Sequence, residues 1–360
     1  MPSDRVLIIG GGPSGIEAAR GLADLGTPVT IVEARERLGG MPIAASYAAL
    51  TPNFDDAEEA IDRMIAPLLD NRLVDIRVKS TVTASKGGAG DFQVTVSQDG
   101  KQDVVSAGAI IVATGFQHFD PGRETQMYGY YEFDDVITLP DCEKMLKEHK
   151  FVRPSNGQVP ERVCFIQCVG SRDRQIGNEF CSKVCCGIAS KEAIEIRRLL
   201  PNCKVSIFYI DMRMYGYWEN AIYWPAQEKY NVSYIRGIVS EVLKKGDKLI
   251  IRGEDTTLGR PMEVPMDVVI LSVGMEPSKG TREMAKLLGV KQNKYGYIET
   301  VGAPLATVMT SVEGIFAAGS CNGPADLEDS ISAGAAAAMR AAVLVRKKST
   351  AKTAGAEARA

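Results

Sequence analysis

The chain of 360 residues carries no strong charge of either sign. Its net charge is −3, from 42 basic and 45 acidic side chains, so it offers neither nucleic acid nor an anionic membrane the basic face that each requires. Nor is there an apolar run long enough to span a bilayer. The longest stretch of small apolar residues, 333-AGAAAAMRAAVLV-345, falls short and is broken by Arg340, and reads as a tightly packed helix. The first residues lead almost directly into a strand without the basic leader, apolar core and small-residue cleavage site of a signal peptide, which predicts a cytoplasmic location. His118 and His149 are the only two histidines; neither has other candidate ligands beside it, and both read as surface or structural residues. Cys-x-x-Cys is missing, and with it the dithiol that direct disulfide exchange would need.

What remains is an ordinary globular composition, 45% hydrophobic and 24% charged, long enough for two domains. The chain is organised around 5-RVLIIGGGPSGIEAARGL-22. Val6 to Ile9 read as a buried parallel strand, and Gly10, Gly12 and Gly15 fit G-x-G-x-x-G before an Ala-rich helix. Gly10 permits the tight turn, Gly12 lets the backbone approach a pyrophosphate, and Gly15 lets helix and strand pack closely. The phosphates would face a helix N-terminus, whose free N–H groups and dipole favour anions. A second strand, 28-PVTIVEA-34, ends on Glu33, about twenty residues on, where an acid bonds a ribose hydroxyl. Dinucleotide binding is expected.

Further on, Gly39-Gly40 can let a loop pass close to an extended cofactor, or can be an ordinary turn. Residues 55–71 form an amphipathic helix pattern. Residues 73–85 and 91–115 read as a meander with turns at Gly87-Gly88 and Asp99-Gly100, whose last strand, 109-AIIVATG-115, returns to the main sheet and ends on Thr114-Gly115. A near copy, 268-VVILSVG-274, suggests a duplicated architecture. Between them, helix 140–150, strand 162–167, helix 188–200, strand 204–210, an amphipathic stretch 219–230 and strand 232–237 predict a second parallel sheet. Strand 312-VEGIFAAGS-320, followed by a helix from Leu327 to Arg346, rejoins the first domain. Such a second strand-to-helix turn receives the far half of FAD in flavoproteins, so FAD is favoured over NAD at the first motif. The residues expected to bind it are Gly10, Gly12, Pro13, Ser14, Gly15, Glu33, Ala34, Arg35, Gly39, Gly40, Met41, Val82, Thr114, Gly115, Gly319, Ser320, Asp326 and Leu327. From Lys347 the chain shows no periodicity and reads as a flexible tail.

The second domain lacks a glycine-rich loop after 162-RVCFIQ-167, so an NAD(P) site is not expected there. In its place stands 168-CVGSRDRQIGNEFCSKVCCG-187, a Cys-x12-Cys-x3-Cys-Cys pattern. Four soft thiolates in a partly dry pocket suit a 4Fe–4S cluster. Zinc would accept the same four, and buried free cysteines need no metal; a neighbouring flavin gives an electron carrier a use. Cys164 and Cys203 read as packing residues, and Cys321 as packing or as a flavin neighbour.

These residues resemble the A-type flavoprotein of heterodisulfide reductases. The likeness rests on 168-CVGSRD-173 with 181-CSKVCC-186, on 128-YGYYEFDDVITLPDCEKML-146, on 211-DMRMYG-216 with 226-AQEKYNVSYIRG-237, and on 319-GSCNGPADLEDSISAGAAAA-338. It implies an α/β fold of the two-dinucleotide-binding-domain, thioredoxin-reductase-like kind. A Rossmann-type FAD domain (1–120 and 288–346) would carry an inserted α/β domain (121–287), with a tail over 347–360. Cys168, Cys181, Cys185 and Cys186 would hold the 4Fe–4S cluster, with no catalytic side chain of the protein's own. The chain would form a homodimer or a dimer of two A-type chains and pass electrons to iron–sulfur B and C subunits.

Methanogen members carry further ferredoxin-like segments, for which the spare cysteines here are too few, and a lysine after the Gly-Pro of the last motif, where this chain has Ala325. That difference speaks against electron bifurcation. The resemblance is therefore strongest to the heterodisulfide-reductase-like complex of sulfur oxidisers, which handles sulfane sulfur on a lipoate-binding protein. Alternatives are the quinone-interacting relative of sulfate reducers and a stand-alone NAD(P)H-dependent disulfide reductase.

Overall fold

The computed structural model describes residues 3–124, 126–302 and 304–357, without the side chains of 124, 126 and 349–357. In chain order its main elements begin with β1 (Val6–Ile9), α1 (Pro13–Asp24), β2 (Val29–Val32), α2 (Ala57–Leu69), β3 (Val74–Arg77), β4 (Ser80–Gly88), β5 (Asp91–Gln98), β6 (Lys101–Ala107) and β7 (Ala109–Val112). There follow β8 (Val136–Thr138), α3 (Leu139–Lys147), β9 (Arg162–Val169), α4 (Cys185–Leu199), β10 (Lys204–Tyr209), β11 (Ser233–Lys245), β12 (Lys248–Asp255), β13 (Arg260–Met266) and β14 (Val268–Val273). The chain closes with α5 (Lys279–Leu288), β15 (Ile315–Ala317) and α6 (Leu327–Glu357). Its residues gather into two units, one comprising 1–44, 60–117 and 276–360, the other 45–59 and 118–275. No helix among the described residues is long and apolar enough to cross a membrane.

The first unit is built on a five-stranded parallel sheet ordered β15-β7-β1-β2-β3. Side chains alternate across a strand, and β1 shows the result. Val6 and Ile8 join a core with Ile16, Ala19 and Leu22 of α1 and Ala338, Ala341 and Ala342 of α6. Leu7 and Ile9 face the other way, onto the meander β4-β5-β6 and Met284, Ala285 and Leu288 of α5. The alanines that read as a packed helix are those that let α6 lie close to α1.

Two details of this unit differ from what the sequence pattern predicts. The β4–β5 turn falls at Ala89-Gly90 and not at Gly87-Gly88, because β4 stays paired through Gly88 to Asp91. The final helix runs on to Glu357, through most of the segment read as tail; 358–360 lie outside the described residues.

The second unit holds a seven-stranded sheet ordered β8-β14-β9-β10-β11-β12-β13. Its first five strands pair in parallel, and β12 and β13 add an antiparallel edge that the sequence pattern does not announce. One face carries Val163, Phe165, Val268 and Ile270 against α3 and α4; the other carries Cys164, Ile166, Val269 and Leu271 against the β11–β12 hairpin.

Candidate functional site

In the first unit Gly10, Glu33 and Thr114 stand just beyond the C-terminal ends of β1, β2 and β7. Gly10 has φ +109°, and a Cβ there would lie 2.3 Å from the Ala113 carbonyl oxygen. At Gly15 it would lie 2.0 Å from the Gly10 oxygen, so neither position has room for a side chain. Gly12 is different: its nearest neighbour would be the Gly40 Cα at 3.6 Å. This glycine leaves space for something other than protein. Pro13 opens α1, and no side chain caps the helix, so its first-turn N–H groups remain for an anion. Ser14 is buried, with its Oγ 2.0 Å from where a Gly319 Cβ would stand, which draws Gly319 and the neighbouring Ser320 to the same turn.

Glu33 is also buried. Its Oε2 accepts the Gly11 N–H at 2.7 Å and its Oε1 the Arg35 N–H at 2.8 Å. A carboxylate has about four acceptor sites, so half its capacity is left for ribose hydroxyls. Ala34 and Arg35 follow it at the end of β2, with Arg35 exposed. Gly39 donates to the Gly11 carbonyl at 2.8 Å, and Met41 begins the short helix Met41–Ala44. The Thr114 and Thr281 hydroxyls lie 2.7 Å apart, and a Cβ at Gly115 would meet nothing within 4 Å. Asp326 precedes α6 and its Oδ1 accepts the Asp329 N–H at 2.7 Å, with Leu327 the first helical residue. Val82 belongs to the core around Leu7, Ile9 and Val32.

In the second unit a β-bulge shapes the cysteine site. Strands β9 and β14 pair in register from Val163–Val268 to Ile166–Leu271, then slip, and resume at Val169–Val273. Strict alternation would send Cys168 to the face of Cys164 and Ile166, away from α4. The extra residue, together with φ +65° at Cys168, turns it toward α4, where its sulfur engages Cys185. Helix α4 starts at Cys185, three residues before the periodicity suggests, with no side-chain cap. Cys185 and Cys186 therefore occupy its first turn, where the dipole favours thiolates.

The Cys168 thiol is lowered to about 7 by its hydrogen bond with Cys185, with burial opposing and Arg172 assisting. Cys186 is lowered by the same neighbour and by the Arg213 N–H, against the cost of burial, whereas Cys185, hydrogen-bonded to both, is raised. Cys181 accepts the Lys183 N–H at 3.3 Å and interacts with the Arg213 guanidinium. Asp211 ties that guanidinium to Arg172, at 3.3 Å from Arg213 Nε and 3.2 Å from Arg172 Nη2. All four cysteines thus share one neighbourhood, with Cys168 and Cys181 partly exposed. Among the described residues, no three His, Cys, Asp or Glu side chains are gathered so as to hold a metal ion.

The remaining cysteines behave otherwise. Burial pushes Cys142 and Cys164 up, and Cys203 and Cys321 to about 12. The Cys321 thiol donates to the Val112 carbonyl at 3.2 Å, the contact of a packing residue. His149 is exposed, while His118 is structural: its Nε2 lies 3.1 Å from the Tyr47 hydroxyl. Arg172, Arg213 and Trp218, whose ring covers Gly187 behind Cys186, are site neighbours that motif spacing gave no means of finding.

Residues 4–342 match the family described as "Pyridine nucleotide-disulphide oxidoreductase". The chain belongs to this family. The family is one of flavin-dependent oxidoreductases, and its fold is found in solved thioredoxin reductases. That from T. acidophilum superposes with a TM-score of 0.63 at 21% identity, covering 97% of this chain and 100% of its own. That from Lactococcus lactis gives 0.64 at 20% identity, covering 96% and 100%.

Closer in sequence are proteins named for heterodisulfide reductase. The A component of the H(2):CoB-CoM heterodisulfide,ferredoxin reductase of Methanothermobacter thermautotrophicus is 37% identical over 252 residues, 68% of this chain and 38% of that protein. An A-type iron-sulfur component of the CoB--CoM heterodisulfide reductase of Methanopyrus kandleri is 30% identical across 94% of this chain and 64% of its own length. The chain thus spans between about two fifths and two thirds of these relatives.

Proposed function

We propose that this oxidoreductase binds FAD in its first unit and a 4Fe–4S cluster on Cys168, Cys181, Cys185 and Cys186, and relays electrons between them as the A-type component of a heterodisulfide-reductase-like complex. The observation that carries this reading is the bulge that turns Cys168 onto Cys185 and Cys186 at the uncapped start of α4. The donor set fits: a cluster of this kind takes four thiolates, each on its own iron, and so does not require them to converge on one point as a single ion would. The first unit fits FAD through the open side of Gly12, the free N–H groups of α1 and the spare acceptor sites of Glu33.

When bound, the flavin supplies two-electron storage and the cluster one-electron exchange. The protein's own contribution is placement and charge. Arg172 and Arg213 offset the negative charge of the thiolates, and Asp211 fixes both guanidinium groups. The burial of Cys185 and Cys186 keeps water from two of the four sulfurs. Glu33 holds the β1–α1 turn and β2 together, so that ribose and pyrophosphate positions are set by one carboxylate.

We further propose that the complex is cytoplasmic, that its partners are iron–sulfur B and C subunits, that the chain dimerises, and that the electrons come from sulfane sulfur carried on a lipoate-binding protein. The names of the relatives support the heterodisulfide-reductase part of this reading. The family match favours a second one, an NAD(P)H-dependent disulfide reductase; against it stand the missing Cys-x-x-Cys and the absence of a glycine-rich loop after β9. Anaerobic reductive titration separates the two. The relay requires bleaching of both the flavin bands and a broad cluster absorption, with slow or no direct reduction by NADH. Rapid NADH reduction of flavin alone supports the reductase instead.

A further inference from the structure

Two polar side chains at the cysteine site have no use within the fold. Gln167 stands immediately before Cys168, buried to 6% exposure, and neither end of its amide has a hydrogen-bond partner among the described residues; Ser272, on β14, is fully buried with its hydroxyl equally alone. Buried donors and acceptors are nearly always paired, and an exception calls for an explanation such as an ion, a water or a bound group.

Their position supplies one. Val163 and Phe165 on β9, and Val268 and Ile270 on β14, face Cys185, Cys186 and Ala189 of α4. By the two-residue period Gln167 and Ser272 continue those same two rows. The last regular pair before the bulge is Ile166–Leu271, so Gln167 and Ser272 stand side by side where the strands part, on the face that carries the first turn of α4. The bulge that re-aims Cys168 also opens the ladder that would otherwise flank these two groups.

We propose that the Gln167 Nε2–H and the Ser272 Oγ–H donate hydrogen bonds to the sulfur atoms of the cluster and thereby raise its reduction potential. The inference rests on the reading that these four cysteines hold a 4Fe–4S group. Reduction adds one electron, delivered from the flavin in that reading, with no bond to the protein made or broken. The added negative charge spreads over sulfide and thiolate sulfur, so a donor pointed at sulfur stabilises the reduced state more than the oxidised one. Gln167 and Ser272 are positioning and tuning residues that lie outside the ligand set.

The test uses the full chain, purified and reconstituted without oxygen, as wild type and as Gln167→Leu and Ser272→Ala. Iron and sulfide content should be unchanged, and the cluster midpoint, followed by electron paramagnetic resonance during a potentiometric titration, should move to more negative potential in each variant and furthest in the pair. The Fe–S stretching bands of the wild type should shift in deuterated water, with a smaller shift in the variants; the wild-type measurement needs no mutant to fold. A cluster of full iron content whose potential and deuterium shift are unmoved by both substitutions overturns the inference alone. A wild-type chain that takes up no iron while binding flavin overturns the cluster reading, and this inference with it.

Discussion

Gly12 and Gly15 are three residues apart and respond oppositely to an added methyl group. At Gly15 a Cβ would stand 2.0 Å from a backbone oxygen that cannot move without breaking the β1–α1 turn, whereas at Gly12 the nearest atom is 3.6 Å away. Gly15→Ala should therefore unfold the first unit or cost several kcal/mol, as overpacking against rigid backbone does, read as a lower urea midpoint. Gly12→Ala should leave stability within about 1 kcal/mol of wild type and weaken FAD binding at least roughly tenfold, about 1.4 kcal/mol, by flavin fluorescence. The tight fit at Gly15 and the open side of Gly12 are features a G-x-G-x-x-G turn leads one to expect, because it has few ways to close; what the pattern did not show is that Glu33 already braces Gly11.

His118 is a second residue whose environment sets a measurable quantity. Burial lowers its pKa from 6.5 to about 4, with Asp141 opposing. The folded state thus disfavours the proton that the unfolded chain accepts, so the corresponding stability is present above pH 6.5 and is lost as pH falls through the window down to about 4. Between pH 7 and pH 5 this amounts to roughly 2 kcal/mol. His118→Gln, which keeps a partner for the Tyr47 hydroxyl without titrating, should lose less stability than wild type over that interval in urea unfolding. An equal loss in both would show that other groups dominate the acid limb.

At the scale of elements, helix α4 joins the cysteine site to a buried charged cluster two turns on. Lys191, 1% exposed, pairs with Glu143 of α3 at 2.6 Å and with Glu195 at 2.9 Å. Its burial works against the charge, but Glu143, Glu195 and Glu192 outweigh it and hold the ammonium pKa up. Glu192, by contrast, is pushed well up, by burial first and then by Glu143. Lys191→Met strips the cation from buried carboxylates and should cost roughly 3–5 kcal/mol; adding Glu143→Gln should recover part of that loss. A single variant as stable as wild type in urea unfolding would contradict the pairing.

The start of α4 was legible only approximately, because Cys185 and Cys186 have no periodic signature of their own and a thiol is not a capping residue. The bulge in β9 was not legible at all: it depends on pairing with β14, about a hundred residues away, and no local pattern encodes a slip between distant strands. The β12–β13 edge escaped for another reason. In 248-KLIIRGED-255 a run of three apolar residues is followed by a charged, glycine-containing end without period-two alternation, and the strand pairs with the part of β11 that extends beyond the parallel sheet.

For the whole molecule, the architecture was readable because strand–helix alternation and apolar runs repeat twice along the chain, once for each sheet. The excursion of residues 45–59 into the second unit was not, since nothing in their composition separates them from the flanking residues of the first. The two units keep distinct chemistry. Glycine, free N–H groups and a carboxylate stand at the ends of one sheet, and thiols with paired arginines at the ends of the other.

We propose that the second sheet holds iron and sulfide on Cys168, Cys181, Cys185 and Cys186. Iron, acid-labile sulfide and flavin measured together on the anaerobically purified chain, alongside Cys181→Ala and Cys185→Ala, test it most directly. The expected result is about four irons and four sulfides per FAD in the wild type, and loss of iron with full retention of FAD in both variants. A wild type that carries flavin without iron, or variants that keep their full iron, would contradict it.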